Sequence, residues 1–329
     1  MENKKRTPWR RWVVLVLMIL GFVVGGILVP VQPEISVAPE KLIEHPLFTL
    51  PVIGDFYLVN TLPTLALTIV LLVILAYFTN RSMKQSLKTD LVPRGVGGIM
   101  EALLEMLYNL TEGSAGAKYA PMIFPWFATI MIYVLFANLL KLIPGFESIG
   151  VFHHAHAEGY ELQLLFGHWY SILPVKVAHD GYILAPFFRG ISVDLNFTAS
   201  LALIAVVMIQ VVGFRAQGIG YLSKFFNTRT MFKTPFFGAM DFLVGLLELI
   251  SELSKILSFA FRLFGNMFAG VVLVAIVAGL LGKITILPAM IMMFELFVGV
   301  IQAFVFGMLT MVFMAQATQG HGHEAEHAG

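Results

Sequence analysis

The chain has 329 residues, 58% of them hydrophobic and only 12% charged, with a formal net charge of +1 and no cysteine. Soluble domains carry about 25% charged residues, so this composition is that of an integral membrane protein. The missing cysteine excludes disulfides, thiolate metal sites and cysteine nucleophiles, and the near-zero charge offers nothing for nucleic acid.

Stretches free of Asp, Glu, Lys and Arg predict six membrane helices: Trp12 to Pro33, Phe56 to Asn80, Tyr119 to Leu140, Leu195 to Phe214, Leu263 to Gly282 and Leu296 to His323. Each is long enough to cross ~30 Å of hydrocarbon. With the N-terminus in the cytoplasm, the inside segments carry 14 Lys and Arg and the outside segments 4. This bias places both termini in the cytoplasm. The first span follows K-K-R-T-P-W-R-R and is too long for a signal h-region, with no A-x-A after it, so it reads as an uncleaved anchor over 1–33. The remainder, 34–329, reads as a single membrane domain.

Residues 30–60 carry Pro30, Pro33, Pro39, Pro46 and Pro51, which argues against a long helix. Over 97–113, Ile99, Leu103, Met106, Leu107 and Leu110 fall at helical spacing, with Glu101, Glu105 and Glu112 elsewhere. That pattern predicts an amphipathic surface helix. An external loop, inserted at about 146–190, contains His153, His154, His156, His168 and His179. H-H-x-H alone lacks the spacing of a metal site, so no metal is expected. The histidines of the tail read as a solvated end.

The last third is predicted as two long helices. From Asp241 to Gly282 there is no proline. At 1.5 Å per residue this run would measure about 63 Å, and Ile284 to Thr318 about 52 Å. Both exceed a membrane crossing, so the helices either break near Gly265–Asn266 or lie tilted as a hairpin. Glu248, Glu252, Lys255, Ser258, Arg262 and Asn266 follow at i+3 or i+4 and form one polar stripe. Arg262 is the only charged residue from Ile256 to Gly282. An arginine at membrane depth costs about 2.5–3.5 kcal/mol on insertion scales, so an anionic partner is expected there. Glu295, the only charged residue between Ile284 and His323, shares a face with Gln302 at i+7. Asp194 and Asn196 open the fourth span, where Asp194 serves equally as a helix N-cap. Two polar routes separated by an arginine emerge. One runs past Asp194, Gln302 and Glu295, and the other past Ser258, Lys255, Glu252 and Glu248.

These residues lie in recognisable motifs: R-L-F-G-N-M-F-A-G at Arg262–Gly270, E-L-S-K at Glu252–Lys255, I-Q-A-F-V-F at Ile301–Phe306, D-L-N-F-T at Asp194–Thr198 and the run Phe124–Gly145. From about Ile35 onward the chain resembles subunit a of the membrane sector of rotary F-type ATP synthases. The resemblance implies an all-α membrane fold with the last two helices as a long tilted hairpin. It also implies a rotor ring of small hairpin subunits c whose carboxylates face Arg262, a peripheral-stalk subunit b, and the rest of the complex in a bacterial-type plasma membrane. By motif, Asn266, Glu295 and Gln302 match channel-lining positions. Glu248 matches one on the cytoplasmic exit side, and Asp194 and Asn196 match a polar pair on the external side. No cofactor and no catalysis by this chain itself is implied. Val271 stands where some relatives have an acid or histidine, and Lys141 where some have an acid. The competing reading is a secondary ion transporter, but no internal repeat accompanies the buried charges. A membrane hydrolase is excluded by the lack of H-E-x-x-H and G-x-S-x-G.

Overall fold

The computed structural model describes residues 12, 16, 37–43, 45–51, 54–88, 95–143, 146–147, 149–154, 159–164, 170–177, 181–225, 235–281 and 286–319. Five helices among them are long and apolar enough to cross a membrane. They are α1 (Thr61–Ser86), α2 (Val96–Leu140), α3 (Leu195–Gln217), α4 (Pro235–Leu281) and α5 (Ile286–Thr318). The crossing elements are all helical, as expected of an all-α membrane protein. The expected anchor at 1–33 lies outside the described residues, Trp12 and Val16 excepted.

The chain divides into two compact units. One comprises Leu62–Lys141, Gly190–Asn266 and Gly299–Gly329. Its core is built where helices meet: Leu107, Ile123, Phe127 and Val134 of α2, Ile209 of α3, Phe259 and Leu263 of α4, and Phe306, Met311 and Met314 of α5 are all essentially buried. Phe259 packs its ring 5.1 Å from Phe306 and 5.8 Å from Phe313. α2 and α5 approach closely at Gly307, where a Cβ would stand 2.8 Å from the Cβ of Met131. Three buried hydroxyls are satisfied within their own helices: Thr68 donates to Thr64 O, Thr111 to Leu107 O and Thr310 to Phe306 O. Asn138, fully buried, donates to Gly299 O of α5 at 3.0 Å and accepts from Ser192 Oγ at 2.6 Å. Ser192 belongs to a short 3-10 helix, Ile191–Val193, that leads into α3.

The segment 97–113 is helical, as expected, but continues into the membrane span as α2. The junction is Gly116, whose backbone (φ 76, ψ 158) is non-helical and open to glycine alone. Leu107 is buried on the predicted apolar face, whereas Ile99 and Met106 of that face are exposed. α4 contains 47 residues and passes through Gly265–Asn266 without interruption. Of the two outcomes predicted there, the break does not occur.

The other unit comprises Met1–Thr61, Leu142–Arg189 and Met267–Val298. Its polar segments form strands. β1 (Phe48–Leu50) and β2 (Gly54–Phe56) make a hairpin closed by Phe48 stacked on Phe56 at 4.7 Å. The histidine-bearing segment is a four-stranded antiparallel sheet of β3 (Gly150–His154), β4 (Gly159–Leu164), β5 (Tyr170–Val177) and β6 (Tyr182–Pro186), in the order β3-β6-β4-β5. This sheet stands where the sequence predicts a loop. Its signal is the alternation in Y-E-L-Q-L. Successive residues of a strand face opposite ways, so His153 and His154 cannot chelate one ion from one face. Among the described residues no group of three potential ligands converges; His156, His168 and His179 lie outside them.

Candidate functional site

α4 carries its polar stripe as the helical spacing predicts, but the stripe divides into two environments. At its first end Glu252 is buried and holds three partners. Its Oε1 accepts from Lys255 Nζ at 2.8 Å and Lys224 Nζ at 2.9 Å, and its Oε2 accepts from Gln210 Nε2 at 2.8 Å. Lys224 also pairs with Glu248 at 2.7 Å. The phenol of Tyr221 donates to Gln210 Oε1 at 2.7 Å and completes the chain. Two carboxylates and two ammonium groups therefore balance beside a cavity of about 360 Å³ that they line with Tyr221 and Phe313. Lys255 lies over the Phe313 ring at 4.7 Å.

Lys224, Tyr221 and Gln210 were not among the predicted site residues. Lys224 and Tyr221 lie on a 3-10 helix, Gly218–Lys224, that follows α3. This turn folds back because Gly213 lacks a Cβ. One placed there would meet the Tyr221 ring at 2.5 Å. Helical periodicity cannot reveal such partners, since they come from another element. Burial by itself disfavours the Lys224 ammonium, but its hydrogen bonds to Glu248 and Glu252 more than offset that and hold it above the ordinary lysine range.

Deeper on α4, Arg262 is half-buried, and its Nη2 donates to Ser258 Oγ at 3.2 Å. No carboxylate among the described residues forms an ion pair with it. The adjoining face is apolar and bare: Leu257 is 59% and Phe261 55% exposed, and Gly265 and Asn266 continue the exposed stripe. Gln302 is half-buried on α5. Asp194 is the N-cap of α3, accepting from the backbone N–H of Asn196 at 2.9 Å. Asn196 is exposed.

In the other unit, Glu295 is buried, with its carboxyl packed against Gly270 of α4. A Cβ at 270 would stand 2.7 Å from Oε1 and 3.2 Å from Cδ, so a larger residue there would displace the carboxyl from this position. The R-L-F-G-N-M-F-A-G motif thus ends on the residue that seats Glu295. Spacing within α4 could not have disclosed that role, because the neighbour is on α5.

Residues 62–315 match the family described as ATP synthase A chain. The chain is 30% identical over 242 residues to ATP synthase subunit a of Acidothermus cellulolyticus, covering 71% of each chain. It is 31% identical over 234 residues to the subunit a of Desulforamulus reducens, covering 69% of this chain and 68% of the relative. To that of Mycobacterium ulcerans it is 28% identical over 263 residues, covering 79% and 88%. The family match spans α1 to nearly the end of α5 and includes both the ion-paired cluster and Arg262. On that span the chain belongs to the ATP synthase A chain family.

Proposed function

We propose that this chain is the stationary proton-channel subunit of a rotary ATP synthase in a bacterial-type plasma membrane, with both termini cytoplasmic. The names of its relatives support that assignment, and the arrangement of the polar residues supports a mechanism. A proton reaches Glu295 from outside, along a route with Asp194, Asn196 and Gln302, and neutralises a carboxylate on a rotor ring of c subunits. The neutral carboxyl turns into lipid. A second rotor carboxyl meets Arg262 and Asn266 and releases its proton along Ser258, Lys255, Glu252 and Glu248 to the cytoplasm. Each charge crossing gains about 2.3 kcal/mol per 100 mV, which drives rotation. ATP is made on other subunits, and subunit b holds this chain against the torque. The unbroken length of α4 and α5 favours a tilted hairpin that offers the ring a long face.

The observation that carries this reading is Arg262 itself. A guanidinium with no carboxylate ion-paired to it among the described residues, beside an exposed apolar stripe, is a costly arrangement in lipid unless another molecule brings the anion. The test is ATP-driven proton pumping in inverted vesicles of the assembled complex. Arg262→Ala should reduce pumping to background while the complex still assembles. Pumping at the wild-type rate would overturn the assignment.

A further inference from the structure

α1 ends in a cationic face that the proton path does not use. Arg81, Lys84 and Lys88 follow at i+3 and i+4, all exposed, and line an open recess of about 380 Å³ with Tyr77, Asn80 and Gln85. No carboxylate among the described residues pairs with these three cations. In the sequence from Phe56 to Met100 there are four basic residues and a single acid, Asp90. The same stripe continues into the apolar part of the helix through Tyr77, Val73 and Val70, which are 60%, 62% and 52% exposed. The opposite side of α1 is the one turned inward, with Thr64, Thr68 and Thr79 buried.

The outward stripe therefore has two parts in order along one face, an apolar run and then three cations that no described carboxylate pairs. From Val70 to Arg81 the helix rises about 16 Å, close to the depth of one leaflet of a ~30 Å hydrocarbon layer. Tyr77 sits at the junction, where an aromatic ring with a polar tip is favoured. We infer that this face binds an anionic phospholipid, its phosphate held by Arg81, Lys84 and Lys88 and its acyl chains lying along Tyr77, Val73 and Val70. A partner protein helix would match the apolar run equally well, but it would have to supply acids at three successive turns. An anionic headgroup supplies them wherever the cations meet the membrane surface. The inference does not depend on the proposed proton path.

The test uses the full chain, purified in its native membrane complex and reconstituted in nanodiscs of phosphatidylcholine. A photoactivatable phosphatidylglycerol is added as probe, and the labelled peptides are read by mass spectrometry. Labelling over 70–88 should exceed that by the equivalent phosphatidylcholine probe roughly tenfold, because a net −1 headgroup meets three cations. Arg81→Gln/Lys84→Gln/Lys88→Gln should remove the difference, and Lys84→Arg/Lys88→Arg should keep it. Should the triple variant fail to assemble, Lys84→Gln and Lys88→Gln singly should each lower labelling about two- to threefold. Equal labelling by both probes, or labelling indifferent to these substitutions, would overturn the inference. So would displacement of the probe by millimolar inorganic phosphate, which would mark a soluble-anion site, or crosslinking of the stripe to a partner subunit.

Discussion

Lys224 illustrates how much one side chain governs at the residue scale. It neutralises Glu248 and half of the charge balance around Glu252, from a position 24 residues before the first of them. Its removal in Lys224→Met leaves two carboxylates to Lys255 alone, in a partly buried setting. Breaking a buried pair from one side costs about 3–5 kcal/mol. Lys224 and Glu248 retain some solvent contact, with side chains 17% and 30% exposed, so a loss of about 1–3 kcal/mol is expected. The pH dependence has a definite sign. A lysine whose folded pKa is raised stabilises fully below its unfolded value, about 10.4, and loses that contribution as pH rises through the higher folded value. The gap in thermal stability between wild type and Lys224→Met should therefore stay constant from about pH 6 to 9 and narrow only above about pH 10.4. A gap that shrinks near neutrality would show that the cluster is held by a group other than this ammonium.

At the scale of elements, α2 combines a surface segment and a membrane span through one residue. Gly116 occupies a backbone region that side chains avoid, and nothing stands within 4 Å of where its Cβ would be. Any effect of Gly116→Ala is then conformational, and a loss of about 1–3 kcal/mol is expected. Gly113, three residues earlier, is helical and equally open. Gly113→Ala should instead gain about 0.5–1 kcal/mol. Opposite shifts in the unfolding temperature of the two variants test the assignment, and equal shifts would place the bend elsewhere. The sequence shows the two halves of α2 but not their union, since periodicity and charge-free length report what each turn buries and not where a glycine bends the path. The same limit divides the rest. The described spans and the α4 stripe were legible because a charge every turn, or none for about 20 residues, is a local signal. The Glu295–Gly270 seat and the Asn138 bridge to Gly299 were not, because each depends on which helices meet.

For the whole molecule, the segment 150–186 is a single sheet built from two pairs of strands. β3 and β6 pair continuously from Gly150↔Pro186 to His154↔Tyr182, and β4 and β5 form a second hairpin. Among the described residues the two strand pairs join at the register pair Tyr160↔Tyr182. They meet through glycines: a Cβ at either Gly159 or Gly181 would collide with the backbone of the other. The outer hairpin thus adjoins β6 near its Tyr182 end, and its removal leaves the inner ladder intact. His154 and Tyr182 are adjacent partners, so a two-residue Asn-Gly turn can close β3 onto β6 in place of residues 155–181. That deletion should leave the unfolding temperature within a few degrees of wild type and preserve ATP-driven proton pumping in vesicles. The arginine, the acid cluster and the Glu295 seat all lie on elements outside the excised segment. Loss of pumping with normal assembly would instead give the outer hairpin a part in proton access, the one outcome that would make its histidines functional.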